Sequence, residues 1–285
     1  MPLVTLKEIL AKTRKDGYAV GGFNFNGYED AQGMVNGAAE KRSPIILMAS
    51  VGACKYIGMK QCVGMIRGMA ESVDIPVCLH LDHATDVEYT KTAIKEGFSS
   101  VMIDASALDY ESNIKISREV VEFAKNYRCS VEAELGKVGG IEENVVVDDI
   151  SATFTDPAGV PRFVEETGID ALAIAFGSVH GFYKSEPRLD FDRLGKILGL
   201  TDCPLVLHGG TGISEEDFRK CIRMGLGKIN VGTEFKKAFS DTLRRMCAEL
   251  PESQIDPRKY MKAVKDVCAE IVKEKIDIFG SAKRG

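Results

Sequence analysis

Short apolar segments alternate with longer amphipathic segments along the whole chain. The apolar segments are nearly continuous, as is typical of parallel strands that are buried on both faces. We expect eight such strands, over residues 18–25, 45–50, 77–83, 100–105, 130–135, 171–176, 204–208 and 228–231. The amphipathic segments predict helices over residues 28–41, 61–72, 86–96, 110–127, 190–198, 214–224, 234–249 and 257–275, with one more beginning after Asp156-Pro157.

The order of these segments predicts the fold. Eight β/α units indicate an α/β protein with a single (β/α)8 TIM barrel over residues 1–285, and the helix over 257–275 is an extra C-terminal helix. The alternative is an open, doubly wound sheet, which usually carries a Gly-x-Gly-x-x-Gly motif after its first strand. Because Gly21-Gly22 lies inside the first predicted strand instead, we favour the closed barrel.

The composition narrows the class of protein. The chain has 285 residues, 45% of them hydrophobic, and a net charge of −5. Nucleic acids and acidic membrane surfaces bind clustered Lys and Arg, so we expect neither as a partner. The N-terminus lacks the pattern of a signal peptide, and no apolar run approaches the ~20 residues that cross a bilayer. The eight cysteines contain no Cys-x-x-Cys pair, so we expect reduced thiols in a cytoplasmic protein.

The four histidines lie where predicted strands end. His80 and His83 close the third strand, while His180 closes the run over residues 171–180, which contains the sixth strand, and His208 ends the seventh strand. A barrel gathers the C-terminal ends of its strands around one mouth, and three neutral imidazoles with an open position form a typical catalytic zinc site. An isolated strand histidine is more often a core residue, but three at strand exits favour a metal site of His83, His180 and His208. Strand alternation separates His80 from His83, so we expect a supporting role for His80.

Carboxylates end the neighbouring strands. Asp82 belongs to the third strand, Asp104 to the fourth and Glu134 to the fifth. Asp104 and Glu134 could bind a second metal position or orient the imidazoles. Because three imidazoles already supply one metal, we assign Asp82 to proton transfer rather than to the metal.

Glycine-rich turns follow the last three strands. Such turns, leading into helix N-termini, present converging N–H groups, and the loops after strands seven and eight are the usual phosphate site of a barrel. The residues concerned are Gly181, Gly209, Gly210, Thr211, Asn230, Val231, Gly232 and Thr233. The loop over residues 136–149 also carries glycines beside Glu142 and Glu143, which indicates either a mobile lid or a solvated charged loop.

Ordered motifs span nearly the whole chain. They are Gly22-Phe-Asn-Phe, His80-Leu-Asp-His, Val131-Glu-Ala-Glu-Leu-Gly-Lys-Val-Gly-Gly, Gly177-Ser-Val-His-Gly, Leu207-His-Gly-Gly-Thr-Gly, Lys228-Ile-Asn-Val-Gly-Thr-Glu, Asp256-Pro-Arg and Phe279-Gly-Ser-Ala. Together they resemble the class II, zinc-dependent ketose-bisphosphate aldolases. The tagatose-bisphosphate type is the most similar, and the fructose-bisphosphate type comes next.

The resemblance implies reversible cleavage of tagatose or fructose 1,6-bisphosphate to dihydroxyacetone phosphate and glyceraldehyde 3-phosphate. It places zinc on His83, His180 and His208, and an additional metal position at Asp104 and Glu134. It also implies a homodimer or homotetramer, and a bound monovalent cation, Na⁺ or K⁺. Its substrate contacts correspond to Asn24, Ser50, Gly181, Gly209 to Thr211 and Asn230 to Thr233.

The implied mechanism moves two protons. In the synthetic direction a carboxylate takes a proton from the carbon beside the ketone, and the lid carboxylate corresponds to Glu142, with Glu143 adjacent. Zinc stabilises the resulting enediolate as a Lewis acid. Asp82 then protonates the aldehyde oxygen, and in cleavage it deprotonates that hydroxyl.

Two small departures and four alternatives accompany the resemblance. Gly210-Thr211 replaces the commoner Ala-Ser or Gly-Ser, and Gly232 replaces Ala, Asn or Asp.

A Schiff-base aldolase would use Lys137 or Lys228 but would leave the histidines unexplained. A zinc hydrolase would usually begin with His-x-His in strand one. A non-catalytic accessory subunit would not need intact Asp82. An aldolase for a related phosphorylated keto sugar, such as 6-phospho-5-dehydro-2-deoxygluconate, would share every residue named.

Overall fold

Parallel strands form the centre of the computed structural model. The structure describes residues 3–142, 145–147, 154–181 and 187–285. For residues 140–142 and 145–147 it describes the backbone alone. The strands in chain order are β1 (Val20–Asn24), β2 (Ile45–Ser50), β3 (Val77–Ala84), β4 (Ser100–Ile103), β5 (Ser130–Leu135), β6 (Gly139–Glu142), β7 (Val145–Val147), β8 (Ala171–Ile174), β9 (Val179–His180), β10 (Leu205–Leu207) and β11 (Lys228–Val231). Eight of them close into a barrel in the order β1-β11-β10-β8-β5-β4-β3-β2. Every neighbouring pair in the barrel is parallel, so the predicted (β/α)8 architecture is confirmed.

Helices surround this barrel. In chain order they are α1 (Leu6–Leu10), α2 (Thr13–Asp16), α3 (Tyr28–Glu40), α4 (Val51–Ile57), α5 (Met59–Glu71), α6 (Val87–Glu96), α7 (Tyr110–Ala124), α8 (Val160–Thr167), α9 (Phe191–Leu198), α10 (Glu215–Met224), α11 (Thr233–Glu249) and α12 (Pro257–Phe279). The predicted extra C-terminal helix is α12, which packs against α3 and α11 of the same chain. Among the described residues, no helix combines the length and the apolar character needed to span a membrane.

The strands divide the core into two apolar clusters. Strand residues that face outward, such as Leu47 and Leu79, pack beneath the helices. Residues that face into the barrel near the N-terminal ends of the strands form a separate cluster with α1, and this cluster includes Leu6, Val20 and Ile46. Helix α1 closes that end of the barrel, so this part of the interior is filled by side chains.

The segment over residues 136–149 differs from the predicted glycine-rich loop. Strands β6 and β7 form an antiparallel hairpin within it, and β9 pairs with β6 in parallel, so that Gly140 is opposite His180. Glycine has a low β propensity, so a glycine-rich strand that is stabilised by pairing with a distant strand is not predicted from its sequence pattern. Because β9 carries His180, this small sheet places one of the predicted metal ligands.

Candidate active site

Strand β3 delivers two functional side chains through an irregular backbone. His83 has a φ of 47°, a left-handed conformation that is unusual for a non-glycine residue. The pairing of β3 with β4 also shifts register between Leu81 and Ala84. A regular strand would send Asp82 and His83 to opposite faces, whereas here both line the cleft at the barrel mouth.

Three imidazoles meet at this mouth. One ring nitrogen from each of His83, His180 and His208 lies within 4.8 Å of the others. The ring centroid of His83 is 4.9 Å from that of His180 and 4.5 Å from that of His208. Side chains of His83, Asp104 and Glu134 form a second group of the same compactness. The first donor set has the nitrogen chemistry that Zn²⁺ favours, so the residues fit the metal that the family implies.

Carboxylates lie against two of these imidazoles. Nδ1 of His83 is 3.0 Å from Asp104 Oδ2, and Nδ1 of His208 is 2.9 Å from Glu134 Oε2. Burial raises the pKa of Asp104, but its hydrogen bond to His83 outweighs this effect and leaves the pKa well below its usual range. Burial and His83 lower the pKa of His208, while hydrogen bonds to Glu132 and Glu134 raise it, with a net result of about 9. The site therefore favours an ionised Asp104 beside the His83 imidazole.

Asp82 is fixed on one side only. Its Oδ2 accepts a hydrogen bond from Asn24 Nδ2 at 2.7 Å. Its Oδ1 and the Oδ1 of Asn230 are buried without a hydrogen-bond partner among the described residues. Ser50, which pairs with Asp82 across β2 and β3, lies beside them. Unpaired buried acceptors are costly, and a ligand that brings hydroxyl groups would satisfy them.

The other side of the cleft is built from backbone. A Cβ atom at Gly209 would lie 2.2 Å from the Val179 carbonyl oxygen, and one at Gly210 would lie 2.6 Å from the Asn230 carbonyl oxygen. Only glycine permits these close approaches. Thr211 Oγ1 accepts a hydrogen bond from the N–H of Glu234 at 3.3 Å, which ties this loop to the first turn of α11. The N-terminus of α11 therefore faces the cleft and favours an anion there.

The structure brings nearly all predicted substrate-binding residues into one cleft. Val231 is the exception, because its side chain is fully buried in the core cluster beneath the helices. The backbone of Glu142 ends β6, while its side chain and the whole of Glu143 lie outside the described residues. The cleft is lined by Asn24, Ser50, Asp82, His83, His180, Gly181, Gly209, Gly210, Thr211, Asn230, Gly232, Thr233 and Lys236.

Sequence reasoning missed Lys236 and Glu132. Lys236 lies in the first turn of α11, directly after the glycine-rich turn, and that position was the available signal. Glu132 precedes Glu134 by two residues on β5 and so shares its face, and its Oε2 is 2.7 Å from Lys228 Nζ. Lys228 is fully buried in this ion pair, which leaves it unable to reach a substrate as a Schiff-base lysine would.

His80 lies below the three imidazoles and outside both possible metal groups. It is fully buried, and its Nδ1 is 2.7 Å from Ser100 Oγ. Burial lowers the pKa of His80 to about 3, so the ring is neutral at pH 7.

A closed parallel barrel with three imidazoles and a glycine-lined cleft at its mouth is the arrangement of a metal-dependent barrel enzyme. The family profile described as "Fructose-bisphosphate aldolase class-II" matches residues 4–284. The chain belongs to this family and is an aldehyde-lyase.

Individual relatives agree with this assignment. The chain is 45% identical over 287 residues to a fructose-bisphosphate aldolase of Staphylococcus epidermidis, and the match covers 100% of this chain and 99% of the relative. It is 32% identical to the crystal structure of the YdjI aldolase from Escherichia coli K12, with a TM-score of 0.87 and 99% of each chain covered. A fructose-bisphosphate aldolase structure from Campylobacter jejuni, 22% identical, has a TM-score of 0.83 over 100% of this chain and 97% of that one, and shares the fold.

Proposed function

We propose that this enzyme reversibly cleaves tagatose or fructose 1,6-bisphosphate to dihydroxyacetone phosphate and glyceraldehyde 3-phosphate, with zinc as its metal. The observation that supports this most directly is the group of three imidazoles, whose nitrogens lie within 4.8 Å of one another beside the buried carboxylate of Asp82. His83, His180 and His208 would hold the zinc. When bound, zinc supplies Lewis-acid stabilisation of the negative charge that develops on the substrate.

Asp82 is the group that moves a proton at the substrate hydroxyl. In cleavage, the hydroxyl proton goes to a carboxylate oxygen as the carbon–carbon bond breaks and the aldehyde forms. Asn24 holds Oδ2 at 2.7 Å, so Oδ1, which has no partner among the described residues, is the oxygen directed to the substrate. In the synthetic direction the same oxygen returns the proton to the aldehyde.

The phosphate of the dihydroxyacetone half binds at the glycine-lined side of the cleft. Gly209, Gly210 and Thr211 bring backbone groups close to the ligand, and the N-terminus of α11 adds its positive end. Lys236 contributes a cation on the same side. This local arrangement is necessary because the net charge of −5 gives no general attraction for a bisphosphate.

Other parts of the proposal rest on the resemblance to the family. Glu142 removes the proton from the carbon beside the ketone, and Na⁺ or K⁺ accompanies the phosphate. Asp104 and Glu134 provide the second metal position, supported by their grouping with His83. We further propose a cytoplasmic homodimer or homotetramer, which rests on the same resemblance.

Removal of the metal tests the proposal. A strong zinc chelator should abolish release of triose phosphates from both bisphosphates, because the imidazoles alone cannot stabilise the developing charge, and added Zn²⁺ should restore it. Full cleavage in excess chelator would contradict the metal mechanism. Kinetic comparison of the two C4 epimers with 6-phospho-5-dehydro-2-deoxygluconate, under the same zinc loading, then identifies the preferred substrate.

A further inference from the structure

A buried chain of polar contacts crosses the barrel interior below the three imidazoles. Nε2 of His208 is 2.9 Å from Glu132 Oε1, and Glu132 Oε2 is 2.7 Å from Lys228 Nζ. All three side chains are fully buried. Glu132 belongs to β5 and Lys228 to β11, and β8 and β10 lie between these strands in the barrel. The ion pair therefore joins strands that the sheet itself does not pair.

Stability does not explain this ion pair. Removing two charges from water costs several kcal/mol per ion, and replacement of such pairs by apolar residues is often neutral or stabilising. Neither Glu132 nor Lys228 belongs to a possible metal group, and neither lines the cleft. Among the three imidazoles of the first possible metal group, the described hydrogen bonds connect the pair to His208, so we seek its role in what it does to that imidazole.

The two nitrogens of His208 face different surroundings. Nδ1 lies 2.9 Å from Glu134 Oε2, on the side where His83 and Asp104 complete the second metal group. Nε2 faces Glu132. A neutral imidazole binds a metal only through the nitrogen that carries no proton, and the hydrogen bond made by the other nitrogen selects which one that is. Glu132 can only accept, because Lys228 compensates its charge and occupies its other oxygen.

We propose that Glu132 and Lys228 are positioning residues that keep the proton of His208 on Nε2 and so direct Nδ1 to the metal. Glu132 accepts the Nε2–H, and Lys228 fixes the rotation of the Glu132 carboxylate. This inference rests on the proposed function, because it requires that His208 is a metal ligand.

Two uncharged double variants isolate the acceptor. Glu132→Gln/Lys228→Met retains an amide oxygen that can accept from Nε2, whereas Glu132→Leu/Lys228→Met has no acceptor. Both avoid a buried unpaired charge, so both should fold. We expect the Leu/Met variant to bind zinc about 10–100-fold more weakly than the Gln/Met variant, the usual effect of losing such a partner of a metal-bound histidine. Competition with a chromogenic chelator measures the affinity without any assay of activity.

The single variant Glu132→Gln should turn the contact with His208 from attractive to repulsive. With Lys228 present, the amide oxygen is attracted to the ammonium group and the NH₂ group faces His208, so a donor meets a donor. Zinc affinity should therefore be lower in Glu132→Gln than in the Gln/Met double variant, although the double variant carries one more change. The control is Ser43→Ala, which removes a buried hydroxyl that contacts Ser281 and Pro44 rather than His208, and which should leave zinc affinity unchanged.

Histidine tautomers give a readout that needs no variant. The chain has only four histidines, so long-range ¹H–¹⁵N spectra of the zinc-loaded protein are simple to interpret. We expect His208 to be protonated at Nε2. Protonation at Nδ1, or equal zinc affinity of the Leu/Met and Gln/Met variants, would overturn the inference. If the unaltered protein binds no zinc, the proposed function fails instead, so the two failures are distinguishable.

Discussion

Strands β1, β2 and β3 present opposite kinds of residue to the barrel interior at their two ends. At the N-terminal end the inward-facing side chains are apolar, and Val20, Ile46 and Cys78 pack with helix α1. At the C-terminal end, the same strands β1, β2 and β3 present Asn24, Ser50 and Asp82 to the cleft. On each of these strands, the residue packed in the apolar core and the residue that lines the cleft are four positions apart.

This difference shows where stability and function reside. Full burial of an aliphatic side chain stabilises the fold by about 1.5–3 kcal/mol, whereas buried polar groups without partners cost about 1–3 kcal/mol each. The unpaired Oδ1 atoms of Asp82 and Asn230 and the left-handed backbone of His83 are all at the C-terminal end. Apolar packing at the N-terminal end must therefore offset the free-energy cost of the unpaired polar groups and the unusual backbone at the C-terminal end.

The largest effect should follow from removal of Asp82. We expect Asp82→Ala to lower kcat by about 10²–10⁴-fold, the range of general acid–base catalysis, because the proposed proton acceptor for the substrate hydroxyl is removed. Zinc content should remain that of the unaltered protein, because the three imidazoles come from other positions. Unfolding in urea should show equal or higher stability, because a buried carboxylate is removed. Normal turnover would refute the assigned role, and loss of zinc would make Asp82 a ligand.

A change at the apolar end should have the opposite pattern. Leu6 is fully buried in the cluster that closes the barrel, so Leu6→Ala should lower the free energy of unfolding by about 2–5 kcal/mol. Zinc affinity and kcat/KM of the folded enzyme should be unchanged. The matched control is Leu200→Ala, where the side chain is 47% exposed and the cost should stay below about 0.5 kcal/mol. A large loss of zinc affinity in Leu6→Ala would contradict the separation of the two ends.

Most of the barrel could be predicted from the sequence, because local patterns determine it. The eight apolar segments correspond to the eight barrel strands, and the residues at their C-terminal ends converge because parallel strands end at one face. That rule alone predicts Asp82 and His208 at the mouth, whereas His180 lies on β9, outside the barrel sheet, and His83 reaches the cleft through its left-handed backbone. The hairpin of β6 and β7 could not be predicted, since glycines conceal it and its support comes from β9, far along the chain.

Two features of the site depend on tertiary structure and lie beyond pattern reasoning. Strand alternation predicts that Asp82 and His83 face apart, and only the left-handed backbone at His83 brings them together. Glu132 was overlooked because its partners, Lys228 and His208, lie 96 and 76 residues away in sequence. The first feature is a local break in the strand, and the second is a set of contacts across the barrel; strand periodicity predicts neither.

The smallest predicted effect tests how finely the mouth is packed. Gly232 has a φ of −124°, which any residue can adopt, but a Cβ there would lie 2.6 Å from Asn24 Oδ1. Gly232→Ala should therefore displace Asn24, lose its 2.7 Å hydrogen bond to Asp82 and lower kcat by about 10-fold, as expected for one hydrogen bond of about 1.4 kcal/mol.

A double-mutant cycle decides whether that effect passes through Asn24. In an Asn24→Ala background only the Cβ of the three nearest Asn24 atoms remains, at the 3.5 Å of an ordinary van der Waals contact. Gly232→Ala should then cost nothing further, and the two changes should be strongly non-additive. If Gly232→Ala lowers kcat equally in both backgrounds, the methyl group disturbs the phosphate side of the cleft instead. The position of Asp82 would then not depend on the space left by Gly232, and proton transfer at the mouth would tolerate a displacement of Asn24.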